Sequence, residues 1–242
     1  MFLDSRWVEP DGRTFLIPGE ALLLNPDSRV WLGEFTCVAS WDTIDDTNNT
    51  FRINESNGSS SSRTVTIPNG VYDIESLRGI LQTLLSANRP AFMGAYTVER
   101  SFAGTSGSTY RRFKVSVTQG TFSIPTETNY LRSICHFDAD VAKSSHETGF
   151  VDVRRTHSVY IHSSFGNNNS VSPTGIRSII AKVPVHVGYG GLVQASLSGS
   201  EHDCVEAGCH SLSSVKLSLH DVAGNELNLN GGAWSATLVF ER

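Results

Sequence analysis

A short segment near residue 205 brings together four side chains that are suited to binding a metal ion. His202 and Cys204 precede Cys209 and His210, so two imidazoles and two thiols fall within nine residues. Zinc accepts this ligand set, but its structural sites usually combine short gaps inside each ligand pair with a longer run between the pairs. Three interpretations stay open: a zinc site, a Cys204–Cys209 disulfide in an oxidising compartment, or an ordinary polar loop, which the loose spacing favours.

Other arrangements that could carry catalysis are weaker still. His136, Asp138, Asp140, His146 and Glu147 occur within one segment, but acidic residues between strands more often solvate turns or cap the backbone. The chain contains no Gly-x-Ser-x-Gly elbow, no glycine-rich phosphate loop leading into a helix and no His-Glu-x-x-His motif. We therefore expect no enzyme activity and no cofactor, and we assign no catalytic residue.

Composition excludes several classes of protein. Charged residues make up 18% of the 242-residue chain, hydrophobic residues 39%, and the net charge is −5. A basic nucleic-acid-binding surface is therefore not expected, and neither is a largely disordered chain. No stretch approaches the roughly 18 apolar residues of a membrane-spanning helix, and the first residues lack the pattern of a secretory signal.

Alternating apolar and polar residues predict β-strands along most of the chain. The segment 30–41 is the most apolar of them, and 64–67, 113–118, 158–162, 215–220 and 234–240 alternate clearly. Glycine, asparagine and serine separate these segments, as turns in an antiparallel sandwich require. The fold class predicted from this pattern is all-β, and a jelly roll of about eight strands suits it.

One stretch follows a helical period instead. Between residues 73 and 87, apolar residues recur at intervals of three and four, which places them on one face of an amphipathic helix. Asp73 is a suitable N-cap, with Ser76 three residues later. Asn88, Arg89 and Pro90 are expected to end the helix.

The aromatic residues of the strand-like segments are expected to be packing anchors. Trp31, Trp41, Trp234 and Phe240 all fall on such segments, where packing in the core or between sheets is the usual role of a large aromatic ring. Trp7 lies outside any clear strand, and it could anchor an N-terminal arm onto a neighbouring subunit.

We expect the chain to consist of an N-terminal arm over residues 1–13 and a single jelly-roll domain over 14–242. Long loops are predicted near 45–63, 102–109 and 163–173, where Gly, Ser and Asn concentrate. None of these loops is long enough or charged enough to be typical of a linker between domains.

The order of several short motifs resembles one known family. Residues 217–241 comprise a strand, an Asp/Gly/Asn turn, a short strand, a Gly turn and a last strand carrying Trp-x-x-Thr-Leu-x-Phe. Ser-Trp at 40–41, Asn-x-Phe at 49–51 and Ile-Pro-x-Gly-x-Tyr at 67–72 occur in sequence before the helix. This progression is similar to that of the penton, or minor capsid, proteins of virophages, Polinton/Maverick elements and adintovirus-like sequences. The Cys/His segment at 202–210 is a departure from the family's pattern.

The resemblance implies a structural capsid protein with a jelly-roll β-sandwich. It implies homopentamers at the fivefold vertices of an icosahedral particle, with the neighbouring major capsid protein as a further partner. The net charge of −5 argues against direct packaging of nucleic acid by this chain. The chain would then be part of the virion capsid, assembled in the host cytoplasm or nucleus and not secreted. The alternative is a non-viral jelly-roll binding module, either lectin-like or a receptor-binding oligomer, that uses its long loops.

Overall fold

The structure is a computed structural model, and it describes residues 1–17, 19–25, 27–101, 111–137, 139–154, 156–165, 178–196, 204–207 and 211–241. Within these ranges the strands, in chain order, are β1 (Phe2–Asp4), β2 (Thr14–Leu16), β3 (Leu22–Leu23), β4 (Arg29–Val38), β5 (Thr50–Asn57), β6 (Ser59–Thr66), β7 (Tyr96–Ser101), β8 (Arg112–Val117), β9 (Thr121–Ile124), β10 (Ala139–Lys143), β11 (Ser145–Glu147), β12 (Ser158–Ser163), β13 (Ile179–Pro184), β14 (Leu192–Ser196), β15 (Val205–Glu206), β16 (Ser211–Leu212), β17 (Ser214–His220) and β18 (Trp234–Glu241). The helices are α1 (Ile74–Ala87) and α2 (Arg132–Cys135), with 3₁₀ turns at Ser5–Trp7 and Thr126–Thr128.

The chain folds as two compact units, each with its own hydrophobic core. The first unit contains Met1–Trp41 and Thr156–Arg242, and the second contains Asp42–Arg155. The second unit is thus inserted in the sequence between β4 and β12 of the first.

The first unit has the strand order of a jelly roll. One antiparallel sheet runs β1-β18-β4-β14, with the short β15 also paired to β4, and the other runs β13-β12-β17-β2. These two rows contain eight strands, which are β1, β2, β4, β12, β13, β14, β17 and β18 in chain order. Numbered from 1 to 8 in that order, they run 1-8-3-6 in the first sheet and 5-4-7-2 in the second. This interleaving of two Greek keys defines the jelly roll. The all-β prediction, with one amphipathic helix near 73–87, is confirmed.

The domain boundaries differ from those expected. Residues 1–13 were predicted to form an arm, but Phe2–Asp4 is the first strand of the sandwich, paired with β18 from Phe2 opposite Thr237 to Asp4 opposite Ser235. A three-residue strand is too short to show a period in the sequence. The single domain over 14–242 is instead interrupted by the inserted unit, whose boundaries no shift in composition marks.

The predicted loops also need revision. Most of the segment 45–63 forms the β5–β6 hairpin, which turns at Gly58 with a φ of 73°. The serine-rich β6 is the last strand of its sheet and exposes most of its side chains, so it lacks the apolar alternation by which strands are recognised. The loop at 102–109 lies outside the described residues, as does most of the loop at 163–173.

The core of the sandwich forms where the two sheets face each other. Strand β4 buries Val30, Leu32, Phe35 and Cys37 in this core. A shift in register between β4 and β18 lies beside Gly33, where an added Cβ would come within 2.9 Å of Val239 Cγ2. A larger residue there would press on the Val239 side chain, which would have to shift, whereas the nearest backbone atom, Thr237 O, lies 3.5 Å away.

The inserted unit has two sheets, β10-β9-β5-β6 and β11-β8-β7, which share a core with α1. The helix begins at Asp73, whose side chain accepts a hydrogen bond from the Ser76 backbone N–H, while the Ser76 hydroxyl bonds the Asp73 N–H in return. Ile74, Leu77 and Leu81 lie on the buried face of the helix. This capping box fixes where the apolar face begins.

Candidate assembly surface

Two opposite edges of the sandwich expose apolar side chains. In the two sheets of the first unit, β1 and β2 end the rows on one side, and β14 and β13 end them on the other. We define the first flank as the β1–β2 side, with Phe2, Trp7 and Leu16. The second flank is the β13–β14 side, with Tyr189 and Leu192. A sheet edge that remains open is a natural site for association with another chain.

The first flank presents the most exposed aromatic residues of the described chain. Phe2 is 85% exposed and Trp7 is 82% exposed, while Leu16, on β2, is more than half exposed. Together these three residues line a groove of about 380 Å³ that reaches Phe15 and Phe35 of the core. A cluster of this kind exposes a patch of apolar surface to water, which is typical of a binding surface.

Local bonds fix the position of Trp7. Asp4 caps the 3₁₀ turn by accepting a hydrogen bond from the Arg6 backbone N–H at 3.0 Å, and its carboxylate pairs with the Arg6 guanidinium. The hydrogen bonds from Arg6 lower the pKa of Asp4 to about 2, so this cap stays ionised at neutral pH. The hydroxyl of Ser5 accepts a hydrogen bond from the backbone N–H of Trp234 at 2.8 Å. The exposed indole is therefore held on a turn that is anchored to the sandwich.

The second flank is less aromatic than the first, and it carries a lysine. Tyr189, in the connection between β13 and β14, is 61% exposed, and Leu192, at the start of β14, is about half exposed. The connection is held against the sandwich, since the Gly190 N–H donates to Ala39 O and the Ala39 N–H donates to Gly191 O. Lys182, on β13, lies 5.7 Å from the centre of the Tyr160 ring.

The aromatic residues named from the sequence occupy different positions in the sandwich. Trp234 is buried beside Phe15, with ring centres 5.5 Å apart, and beside Phe35. Trp41 and Phe240 are half-buried against the same core, and Phe240 also packs edge-on to Phe165 at 6.0 Å. Trp31 is half-buried on β4. Trp7 lies on the first flank.

The Cys/His segment is only partly described. Cys204 is half-buried and carries a free thiol, and His202, Cys209 and His210 lie outside the described residues. In the described part of the chain, no three His, Cys, Asp or Glu side chains converge as metal ligands. His146 is buried and bonds Phe122 O at 2.9 Å, and Asp140 accepts hydrogen bonds from Thr126, so these two residues of the second cluster have separate structural partners.

The flanks themselves were not visible in the sequence. Alternation shows which residues share a face of a strand, but the order of strands within each sheet decides which strands are edges. Phe2 falls in the predicted arm, and Leu16 and Leu192 fall in no predicted strand, so the sequence marks none of the three as an edge residue. The one usable signal was Trp7, a large aromatic residue outside a strand.

Comparison with solved structures finds a similar fold in the mavirus penton protein, among other matches. The crystal structure of the mavirus penton protein aligns with a TM-score of 0.56 and 9% sequence identity, over 100% of this chain and 91% of that chain. No protein-family model matches the sequence, and no curated protein does. Among the described helices, none is long and apolar enough to cross a membrane.

Proposed function

We propose that this chain is a structural capsid protein, the penton, which forms homopentamers at the fivefold vertices of an icosahedral particle. The observation that carries the proposal is the fold shared with the mavirus penton protein over the whole chain. Because the alignment covers 100% of this chain, it includes the inserted unit as well as the jelly roll. The function is mechanical, and it needs no catalytic residue and no cofactor.

The surface of the first unit suits a ring. A closed ring with more than two identical subunits needs two different patches on each subunit, so that one meets the other on its neighbour. The sandwich has two such patches, one on each flank. The low charged share of 18% also suits a subunit that packs against copies of itself, because the centres of protein interfaces are depleted in charge.

The remaining partners follow from the same proposal. A penton contacts the neighbouring major capsid protein of the shell, and it is part of the virion after assembly in the host cytoplasm or nucleus. The net charge of −5 disfavours direct binding to nucleic acid, since binding to phosphates depends on lysine and arginine.

Electron microscopy of particles tests the capsid role directly. Particles assembled from the capsid proteins of the parent genome, with this chain carrying a label, should show the label only at the fivefold vertices. Particles made without this chain serve as the control and should have open vertices. Label spread over the faces of the particle, or absent from it, would contradict the proposal. Binding to glycans by a chain that never enters particles would favour the lectin-like alternative.

A further inference from the structure

We propose that the first flank of one subunit docks on the second flank of the next copy of this chain. Phe2, Trp7 and Leu16 supply one side of the contact, and Tyr189 and Leu192 supply the other. The inference rests on the proposed ring, and it adds which surfaces close that ring.

The flanks could pair in two ways, and only one of them builds the proposed ring. If the first flank met its own copy, the contact would be symmetric and would end at a dimer. A contact between different flanks leaves one free flank at each end, so subunits continue to add until the ring closes. Because β1 and β2 lie on the side of the sandwich opposite to β13 and β14, each subunit can use both flanks at once.

The two flanks have complementary shapes, with a groove on the first and exposed side chains on the second. The first flank offers a groove of about 380 Å³, bordered by Phe2, Trp7 and Leu16. The second flank offers two exposed side chains: Tyr189, on a connection that is tied to the end of β4, and Leu192, at the start of β14. Tryptophan and tyrosine are the residues that most often dominate binding at protein interfaces. We therefore place Tyr189 in the groove beside Trp7.

Charge also favours this pairing. The segment 1–17 carries three acidic side chains against two arginines, and a further carboxylate, Glu34, lines the groove. Both arginines already hold acidic partners, Arg6 with Asp4 and Arg13 with Glu226. The described segment 178–196 has no acidic residue and carries Lys182 and His186. Glu206, on the short β15 that pairs with β4 on the same edge as β14, lies opposite Arg29, so these two charges offset each other. An acidic flank facing a basic one attracts, whereas either flank facing itself would repel.

Solution mass of single-site variants tests the contact. Trp7→Asp places a charge on the first flank, and Leu192→Asp places one on the second. Each should reduce assembly at least tenfold, leaving monomers by analytical ultracentrifugation at concentrations where the unmodified chain forms rings. Val141→Asp is the matched control, because Val141 is 68% exposed but lies in the inserted unit. It should leave the ring intact.

Mixing the two variants gives a sharper result. The Trp7→Asp chain keeps an intact second flank, and the Leu192→Asp chain keeps an intact first flank. An equimolar mixture should therefore form a dimer of one copy of each, while neither variant alone dimerises. Ring formation by both variants, or a mixture that stays monomeric as concentration rises, would overturn the flank assignment while leaving the pentamer intact. An unmodified chain that is monomeric would overturn the proposed function, and the flank assignment with it.

Discussion

At the scale of single residues, the buried His162 of the sandwich has an unusually low pKa. His162 is 7% exposed, its ring centre lies 4.1 Å from that of His220, and its Nδ1 is 2.9 Å from Ser178 Oγ. Burial, together with the nearby His220, lowers the pKa of His162 to about 4. The folded chain therefore keeps this ring neutral where an unfolded chain would protonate it.

This difference predicts a stability that depends on pH. Between about pH 6.5 and about pH 4 the unfolded state binds more protons at His162, so the free energy of unfolding falls as pH falls and levels off below about pH 4. The loss should reach up to about 3 kcal/mol. Urea unfolding of the chain and of His162→Gln across this range should show a shallower pH dependence in the variant. His186→Gln, at an exposed histidine, is the control. Equal slopes in all three proteins would contradict the prediction.

Gly33 is constrained by the nearby side chain of Val239. Replacing it by alanine should destabilise the chain by about 1–3 kcal/mol, because the new Cβ would press on Val239 across the register shift. Gly79→Ala in α1 is the matched control, since an added Cβ there meets nothing within 4 Å. It should stabilise the helix by roughly 0.5–1 kcal/mol. Thermal melting distinguishes the destabilised variant from the stabilised one, and a neutral Gly33→Ala would show that the Val239 side chain moves aside without cost.

Among the elements, the β5–β6 hairpin is joined to the helix by a buried ion pair. Arg63, on β6, bonds both carboxylate oxygens of Glu55, on β5, and donates to Leu84 O and Leu85 O near the end of α1. The Tyr96 hydroxyl donates to Glu55 at 2.8 Å. The Glu55 side chain has no exposed area, so its charge depends on these partners.

Removing the arginine should therefore be costly. Arg63→Met leaves the Glu55 carboxylate buried without its cation, and the free energy of unfolding should fall by about 3–5 kcal/mol. Arg52→Met is the control on the same hairpin, because Arg52 is exposed and donates a hydrogen bond to the neutral Ser62 hydroxyl. Restoring neutrality with Arg63→Met and Glu55→Gln together should recover part of the loss. Equal effects of Arg63→Met and Arg52→Met in urea titrations would refute the role of the pair.

Elements differ in how far the sequence predicts them. The helix at 74–87 was predictable because its buried residues repeat at three and four, and β4 because it lies in the most apolar of the strand-like segments. Strand β6 was not, because an exposed, serine-rich edge strand has no apolar period. Strand β1 was not predictable either, because three residues are too few to show a period.

For the molecule as a whole, local sequence patterns predicted the class of fold but not the division of the chain into two units. The two cores are separated along the chain by boundaries at 41–42 and 155–156, and neither boundary has a composition that distinguishes it from a turn. Which strands form the edges depends on pairings such as β1 with β18, between residues more than 200 positions apart. The proposed assembly surface lies on edges that those distant pairings create, so the sequence alone does not locate it.

The mass of the unmodified chain in solution tests assembly most directly. Native mass spectrometry, with sedimentation as a check on shape, should find a dominant species of five copies, about 130 kDa, in place of the 26.3 kDa monomer. The species should dissociate as the protein is diluted, because it is held by flank contacts with no covalent link. A chain that remains at 26.3 kDa at high concentration, or stops at a symmetric dimer, would contradict the proposal that this jelly roll closes a fivefold vertex.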